Sequence, residues 1–528
     1  MPSLRSPNMT AALEPIAALN WRHRNTMNVA DSLLAAKEPA HTALLTQQAS
    51  YTYGQLQTAV AAVCSFLLEH GGKKGDRVLL LAENSFFWVV SYLGAIRAGL
   101  VVVPLPAAID QEALEPIAQL TQPRFGFLQH KAINNASRIP DMLKVSDAEG
   151  CSSSGIFDFK CVLEHANTIE SADKRLPETS SNDLASLMFT SGSTGRPRGV
   201  MVSHGNIAVN TESIISSLQL SSRDRIMTVL PFHYCFGASL LHTHLRLGGS
   251  LVIDSRFMYP DKVLHRMIET ECTGFAGVPS HFQILLRKSS LPRMKFPHLR
   301  YVQQAGGHLA PVFVRELKAA LPDTDLYLMY GQTEATARLT CLPPGDVVAK
   351  PNSIGKAIPG VSIRVVNKAG IEVKPGEPGE IVAQGHNVAM GYWRDEDDGA
   401  SAFRQGLLHT GDIGTVDEDG FLYLLDRTRD FLKCGGERVS GQTIEEHLLE
   451  FEGLLEVAVI GIPDEVLGEA IKAFVVPRDS KAPSFEDQLR QFCRQNLPIK
   501  WNPKEYVILT ALPKNNAGKV LKQALRQL

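Results

Sequence analysis

Short apolar runs alternate with amphipathic segments through the first 330 residues of the chain. Val78 to Leu81 and Leu100 to Pro104 have the length of buried strands, and a helical pattern follows Asn84. Alternation of this kind favours a parallel sheet covered by helices. Further strands are predicted at Leu184 to Phe189, Val200 to Val202, Ile226 to Leu230, Ser250 to Ile253, Tyr301 to Gln304 and Leu326 to Tyr330, and helices at Leu240 to Leu247 and Lys262 to Glu271.

The pattern changes twice in the second half of the chain. From about Ile354 to Tyr423, short strands separated by Gly and Pro turns predict a small β-rich layer. After Arg427, two helices and two strands predict a compact α+β unit: Ile444 to Glu450, Phe485 to Asn496, Val457 to Ile460 and Ile471 to Pro477. We therefore expect a large N-terminal α/β domain over residues 1–428 and a small C-terminal domain over residues 429–528.

Composition narrows the choice of partners and location. The chain has 528 residues, 44% of them hydrophobic, and a net charge of −2, so it has no basic field for nucleic acid. Its eight cysteines form no C-x-x-C pair, which fits a reducing compartment. The most apolar window, Phe86 to Ala108, is interrupted by Arg97 and closed by prolines. We expect a cytoplasmic protein without a membrane span.

A loop rich in hydroxyls and glycines lies between two predicted strands. It consists of Thr190, Ser191, Gly192, Ser193, Thr194 and Gly195. Arg196 and Arg198 follow it directly. Glycines let backbone N–H groups point at one anion, and hydroxyls and guanidiniums add donors and positive charge. The pattern indicates a polyphosphate-binding loop; the alternative is a solvated linker.

A second polar cluster follows the strand that ends at Tyr330. Gly331, Gln332, Thr333 and Glu334 come next, at the carboxyl end of a strand, where open α/β sheets bind ligands. Thr333 can donate to an α-phosphate, and Tyr330 can stack on adenine. Glu334 is a hard oxygen ligand suited to Mg²⁺ on the phosphates. The alternative is a turn that caps a helix.

These segments resemble the motifs of the adenylate-forming superfamily, which comprises acyl-CoA synthetases, peptide-synthetase adenylation domains and luciferases. TSGSTGRPRGV is similar to its phosphate loop, although members often have Lys where Arg196 and Arg198 stand. The later motifs occur in the same order: GQTEA, GYW, HTGD, DRTRDFLKCGGERVS and PKNNAGK. The resemblance covers about residues 50 to 526 and is greatest to AMP-forming acyl-CoA synthetases.

The resemblance implies further ligand-binding residues. Gly306 and Gly307 would lie along the adenine and acyl pocket, and Asp412, in a turn Thr410-Gly411-Asp412, would accept the ribose hydroxyls. Arg427 would lie near the ribose and phosphate. Lys519 would stabilise charge between the carboxylate and the α-phosphate. The alternatives are ordinary turns, a surface aspartate and a solvated lysine.

Two more segments are assigned by the same resemblance. Lys433, Gly435 and Gly436 belong to a loop that swings into the active site of relatives, where adjacent glycines let a pantetheine arm pass. The alternative there is a hairpin turn, and Cys434 is not a nucleophile candidate. His233 would gate the acid pocket, with Phe236, Gly237 and Val278 as lining residues. Alternatively, His233 is a core histidine bonded to a carbonyl.

The sequence therefore predicts a two-step acid–thiol ligase. A carboxylic acid would attack the α-phosphorus of ATP, with Mg²⁺ arriving on the nucleotide, and coenzyme A or a carrier-protein phosphopantetheine would then displace AMP. The C-terminal domain would move between the steps. No carboxylate between Pro231 and Gly237 can pair with an α-ammonium, which favours an uncharged fatty or aryl acid. The alternatives are a stand-alone enzyme that loads a carrier protein and an inactive nucleotide-binding regulator.

Overall fold

A computed structural model describes most of the chain. The described residues are 27–136, 139, 141–148, 155–164, 176–191, 197–395, 401–427, 431–434, 437–464, 468–479, 484–514, 518 and 520–528. The predicted domain boundary between residues 428 and 429 falls outside them, and so it stays a prediction. None of the helices described is long and apolar enough to cross a membrane.

The strands and helices are numbered separately along the chain. The strands are β1 (Thr42–Leu45), β2 (Ser50–Thr52), β3 (Arg77–Leu81), β4 (Val101–Leu105), β5 (Phe125–Leu128), β6 (Leu143–Ser146), β7 (Ile156–Asp158), β8 (Leu184–Ser191), β9 (Pro197–Ser203), β10 (Arg225–Thr228), β11 (Ser250–Ile253), β12 (Gly274–Gly277), β13 (Tyr301–Gln304), β14 (Asp325–Tyr330), β15 (Thr340–Leu342), β16 (Ser353–Ala357), β17 (Val361–Val366), β18 (Gly379–Gly385), β19 (Phe403–Arg404), β20 (Leu407–Val416), β21 (Leu422–Arg427), β22 (Phe431–Cys434), β23 (Glu437–Ser440), β24 (Leu454–Asp464), β25 (Gly468–Pro477) and β26 (Glu505–Ile508). The helices are α1 (Val29–Leu34), α2 (Tyr53–Glu69), α3 (Phe86–Arg97), α4 (Gln111–Thr121), α5 (Phe159–Glu164), α6 (His204–Leu218), α7 (Cys235–Leu247), α8 (Pro260–Glu269), α9 (Pro279–Lys288), α10 (Pro311–Ala320), α11 (Gly441–Leu449), α12 (Phe485–Asn496) and α13 (Lys522–Leu525).

The first sheet has the order β7-β6-β5-β3-β4-β8-β9. Its strands are parallel except for β8 and β9, which form an antiparallel hairpin. Every residue of β4 is buried, as expected for a parallel strand with helices on both faces. The predicted phosphate loop connects the two strands of the hairpin, and Thr190 pairs with Arg198 across it.

The second sheet joins the rest of the N-terminal part. Its path is β17-β18-β20-β21-β16-β15-β14-β13-β12-β10-β11-β1-β2. The strands from β14 through β13, β12, β10 and β11 to β1 are parallel, and the strands from β15 to β21 are antiparallel. This arrangement confirms the predicted parallel sheets followed by a β-rich layer.

The C-terminal part has its own sheet, of order β23-β22-β25-β24, with β26 beside β25. Helix α12 has the predicted limits, and α11 begins at Gly441, three residues before the predicted start. The core of the C-terminal part is built from β24 and β25. Phe474 and Val475, both in β25, are fully buried and face opposite sides of the sheet. The structure thus confirms a large α/β part followed by a smaller α+β part.

Local chemistry explains where the main elements begin. Thr52 caps α2 and forms a capping box with Gln55, and Ser203 does the same for α6 with Asn206. Aromatic packing joins the two sheets. The ring centre of Trp88 on α3 lies 5.2 Å from that of Phe232, which follows β10. Aromatic side chains on the inner faces of these elements therefore hold the two sheets together.

One local prediction is wrong. The sequence Thr410-Gly411-Asp412 predicts a turn, whereas the structure places these residues inside β20. The register between β18 and β20 shifts at this point, and Gly411 has φ +72°, so the segment is a β-bulge. Glycine at a bulge and glycine at a turn give the same sequence signal, because both need a positive φ.

Candidate active site

A cleft of about 720 Å³ lies between the second sheet and the C-terminal part. The N-terminal side of its lining contains the predicted ligand-binding residues Gly306, Gly307, Tyr330, Gly331 and Asp412. The C-terminal side contributes Lys514 and Gly518, among others. The structure therefore brings together, in one cavity, residues that are up to 244 positions apart, from Val278 to Lys522.

The cleft lies at the carboxyl ends of neighbouring parallel strands. Val278 follows β12, Gly306 follows β13 and Gly331 follows β14, and all three residues line the cavity. Open α/β sheets bind their ligands at this edge. The position of the cleft is thus a consequence of the parallel topology.

Tyr330 and Asp412 form a fixed pair on one wall. The Tyr330 hydroxyl donates to Asp412 Oδ2 at 2.7 Å, and both side chains are buried. The bulge in β20 turns Asp412 toward β14, and Asp412 is the cross-strand partner of Arg427 in β21. Of Arg427 only the backbone position is described. A carboxylate held in this way can accept two hydroxyl groups of a ribose.

Close backbone approach shapes the adjoining wall. A Cβ built on Gly331 would lie 2.0 Å from the Ala337 carbonyl oxygen, so only glycine fits there. Gly306 has φ +84°, and a Cβ on it would lie 3.0 Å from Val278 Cγ1. The buried Gln332 Nε2 has no hydrogen-bond partner among the described residues. This cradle, with an available amide donor, fits a planar base and a sugar–phosphate.

Glu334 is tied to the phosphate-loop hairpin through Tyr392. The Tyr392 hydroxyl donates to Glu334 Oε1 at 2.8 Å, and the Arg198 guanidinium lies 5.4 Å from the Tyr392 ring centre. Burial and the Glu334 charge raise the pKa of Tyr392, so it remains a donor. Thr333 Oγ1 lies 3.4 Å from Cys235 Sγ. The sequence gives Tyr392 no role, although the GYW motif marks the position.

The metal prediction stays a prediction. In the described part of the chain, no three His, Cys, Asp or Glu side chains converge on one point that could hold a metal ion. Glu334 nevertheless supplies a carboxylate oriented by Tyr392, which fits a hard cation bound mainly by phosphate oxygens.

His233 lies between β10 and α7. Burial lowers the pKa of His233 to about 4, so its ring is neutral at neutral pH. Its Nε2 is buried and has no hydrogen-bond partner in the described part, and its ring centre lies 4.4 Å from that of Tyr234. His233 is not among the residues that line the cleft between the two parts.

Several predicted residues lie outside the described residues: Gly192, Ser193, Thr194, Gly195, Gly435, Gly436 and Lys519. Ser191 and Lys433 are described only as backbone positions in β8 and β22. Gly518, directly before Lys519, lines the cleft, and its carbonyl oxygen accepts a hydrogen bond from Ser280 Oγ at 3.2 Å. The roles of these residues stay predictions.

Three side-chain pairs around the cleft were not predicted. His308 Nε2 lies 2.8 Å from Glu446 Oε1 and thus joins the two parts across the cavity. Lys514 pairs with Glu456 at 2.6 Å, and Lys522 pairs with Glu445 at 2.9 Å. Sequence patterns do not show such pairs, because the partners come from separate elements.

Comparison with known proteins agrees with this geometry. Residues 33–393 match the family model described as AMP-binding enzyme, and residues 443–519 match the AMP-binding enzyme C-terminal domain. A (7a-methyl-1,5-dioxo-octahydro-1H-inden-4-yl)propanoyl:CoA ligase of Rhodococcus jostii (strain RHA1) is 30% identical, with 92% of this chain and 95% of that protein covered. Oxalate–CoA ligase of Arabidopsis thaliana is also 30% identical, over 94% of this chain and 96% of that protein.

Solved structures show the same architecture. The crystal structure of ATP-bound MatB from Rhodopseudomonas palustris matches with a TM-score of 0.83 and 28% sequence identity. The match covers 95% of this chain and 98% of the MatB chain. A cleft at the carboxyl ends of parallel strands, closed by a small second part, is where open α/β folds bind their ligands. The chain belongs to the AMP-binding enzyme family, and it is an AMP-forming acid–thiol ligase.

Proposed function

We propose that this enzyme converts a carboxylic acid and ATP to an acyl adenylate and pyrophosphate, and then transfers the acyl group to coenzyme A. The observation that carries the proposal is the cleft, where the Tyr330–Asp412 pair and the glycine cradle of Gly306 and Gly331 face the segment that precedes Lys519. A ribose-binding carboxylate, a base-sized slot and a nearby lysine are what an adenylating site needs.

Individual roles follow from the contacts. Thr333 would donate to the α-phosphate, and Arg198 and the hydroxyls from Thr190 to Thr194 would hold the other phosphates. Glu334, oriented by Tyr392, would hold Mg²⁺, which supplies charge neutralisation on the phosphates. Lys519 would stabilise the negative charge that develops at the α-phosphorus as the carboxylate attacks.

The second step needs a different arrangement of the C-terminal domain. We propose that residues 429–528 rotate as a unit, so that the loop containing Lys433, Gly435 and Gly436 replaces the Lys519 segment at the cleft. The glycines would let the pantetheine arm of coenzyme A pass close to the backbone. The thiol then attacks the acyl carbonyl carbon and AMP leaves.

The acid-binding walls argue against an amino acid. Phe232, Tyr234 and Phe236 precede or begin α7, and His233 beside them is neutral because burial lowers its pKa to about 4. A buried α-ammonium group needs a carboxylate partner, and the segment supplies none. We therefore propose a fatty or aryl acid. The relatives from Rhodococcus jostii and Arabidopsis thaliana are both 30% identical to this chain, and they are named for very different acids. Sequence identity therefore does not select the acid.

The experiment that tests the proposal is a carboxylic-acid panel scored for AMP release, with and without coenzyme A. We expect acid-dependent pyrophosphate formation in both cases and rapid AMP release with a thioester product only when coenzyme A is present. AMP release that responds to a phosphopantetheinylated carrier protein and not to coenzyme A would favour the carrier-loading alternative. Nucleotide binding without pyrophosphate formation for any acid would favour the inactive regulator.

A further inference from the structure

Arg338 is a buried arginine that the adenylation chemistry does not use. It follows the GQTEATA segment and is 1% exposed. Its carbonyl oxygen accepts hydrogen bonds from Asn387 Nδ2 at 2.8 Å and from Asn210 Nδ2 at 3.2 Å. The backbone of Arg338 is thus fixed from two separate elements, so its side chain has a defined starting point.

The guanidinium of Arg338 has no anionic partner in the described part of the chain. Its central carbon lies 4.5 Å from the ring centre of Phe236, and the titratable groups that act on its pKa are the thiols of Cys235 and Cys341. Nε and Nη2 are buried and have no hydrogen-bond partner among the described residues. Burial lowers the pKa of Arg338 to about 10, so the group stays charged at neutral pH.

Such a group is unfavourable unless something pairs with it. An uncompensated buried charge destabilises a protein, and arginine is suited to bidentate binding of a carboxylate. The aromatic contact with Phe236 satisfies one face of the guanidinium and leaves the N–H groups of Nε and Nη2 without a partner among the described residues. Nε and Nη2 are thus two donors that a carboxylate could satisfy.

Arg338 adjoins the predicted acid pocket. A Cβ built on Gly331, which lines the cleft, would lie 2.8 Å from Arg338 Cα. Phe236 and Cys235 belong to the segment assigned to the pocket, and Cys235 Sγ lies 3.4 Å from Thr333 Oγ1. The Arg338 backbone therefore adjoins the Gly331 wall of the cleft, and its guanidinium lies against Phe236 at the start of α7.

We propose that Arg338 binds a second carboxylate on the acid, so that the substrate class is dicarboxylic acids. This inference rests on the proposed function and refines it: an anionic far end replaces the uncharged body expected from the aromatic segment. It also strengthens the exclusion of amino acids, because the guanidinium repels an ammonium group. The activated carboxylate and the one held by Arg338 would be at opposite ends of the acid.

The test compares acids that differ only at the far end. Hexanoate against adipate, and benzoate against terephthalate, are assayed by ATP–pyrophosphate exchange with the full-length wild type, Arg338→Met and Arg338→Lys. We expect the wild type to favour the diacid at least about 10-fold in kcat/KM. Arg338→Met should lower the diacid value at least about 30-fold and leave the monoacid within threefold, and Arg338→Lys should lie between them.

A matched control is Arg287→Met, which removes another buried arginine. Arg287 already pairs with Glu316 at 2.7 Å, so its loss should change kcat/KM for both acids of a pair by the same factor.

Without ligand, Arg338→Met should keep or raise the thermal unfolding midpoint, because an unpaired buried charge is gone. Wild-type preference for the monoacids would overturn the proposal, and this measurement needs no variant. Equal losses for both acids in Arg338→Met, with a lower midpoint, would also overturn it. Absence of exchange with every acid would contradict the proposed function itself, and this inference with it.

Discussion

At the residue scale, the ribose end of the cleft depends on the hydrogen bond from Tyr330 to Asp412. We predict that Tyr330→Phe raises the KM for ATP about 5- to 30-fold and changes kcat little, because a hydrogen bond to a carboxylate contributes about 1–2 kcal/mol to its orientation. Steady-state kinetics with a saturating acid measure both constants.

Tyr423→Phe is the control for this prediction. Tyr423 also donates to an aspartate, Asp417 at 3.1 Å, in the same β-rich layer, but neither residue lines the cleft. We expect wild-type KM for ATP in this variant. An equal rise in both variants would show that the effect is a loss of stability rather than of nucleotide binding.

Motif residues could be recognised from the sequence, and their partners could not. Gly306, Gly331, Tyr330 and Asp412 were predicted as ligand-binding residues, and all four line the cleft. Arg338 follows one of the motifs directly, yet nothing in its local pattern shows that it is buried without a carboxylate. Burial and pairing are set by elements far apart in the chain, so they became visible only in the structure.

At the element scale, the turn between β14 and β15 has no room for a side chain at Gly331. We predict that Gly331→Ala abolishes measurable adenylation and lowers the free energy of unfolding by about 1–3 kcal/mol, because its Cβ would meet the Ala337 carbonyl oxygen at 2.0 Å. Gly345→Ala is the matched control, since nothing lies within 4 Å of its Cβ. Exchange activity and chemical unfolding measure the outcome; near-normal activity in Gly331→Ala would contradict the close approach.

The C-terminal part docks on α9 through Arg287. Its guanidinium donates to the carbonyl oxygens of Leu449 and Leu454, pairs with Glu316 and lies 4.4 Å from the Phe313 ring centre. We predict that Arg287→Met lowers the thermal unfolding midpoint by a few degrees, because two buried carbonyl groups lose a charged donor. Limited proteolysis should also detach the C-terminal part faster.

Arg315→Met is the control for this docking contact. Arg315 also joins the two parts, by pairing with Glu450 at 2.7 Å, but both side chains are largely exposed. Exposed ion pairs contribute about 0–1 kcal/mol, so we expect little change in the midpoint. If both variants behaved alike, the buried position of Arg287 would not be what holds the two parts together.

Element types could be predicted well, and their limits less well. Helix α7 begins at Cys235, whereas the sequence predicts a start at Leu240. The true start gives no sequence signal, because Tyr234 does not cap the helix with its side chain. The bulge at Gly411 is predicted as a turn, because a glycine with positive φ fits either structure. At the bulge, the Asp412 N–H donates to Thr410 Oγ1 and the Gly411 N–H donates to Glu380 Oε1, a residue of the neighbouring strand that the local pattern does not show.

At the scale of the whole molecule, several histidines are buried in their neutral form. Burial lowers the pKa of His204, His244 and His281 to about 4 and that of His242 to about 3. In the unfolded chain they titrate near 6.5, so the unfolded state binds more protons between pH 6.5 and 4. Their neutral burial therefore stabilises the fold above pH 6.5, and this contribution is lost as the pH falls toward 4.

We predict that the thermal unfolding midpoint falls steadily from pH 7 to pH 5. One such histidine changes the free energy of unfolding by up to about 1.4 kcal/mol per pH unit in this window. His204→Asn should make the dependence shallower, because His204 Nδ1 accepts the Val29 N–H only when unprotonated. His265→Asn, at an exposed position, should leave it unchanged. A midpoint independent of pH down to 5 would contradict the buried neutral state.

In the proposed reaction, the acid's carboxylate attacks the α-phosphorus of ATP in the cleft. The most direct measurement uses an acid labelled with ¹⁸O in both carboxylate oxygens, with ATP and coenzyme A, and mass spectrometry of the nucleotide and phosphate products. We expect AMP that carries one ¹⁸O, together with unlabelled pyrophosphate and a thioester that retains the other ¹⁸O. Unlabelled AMP, or ADP with the label in inorganic phosphate, would contradict it.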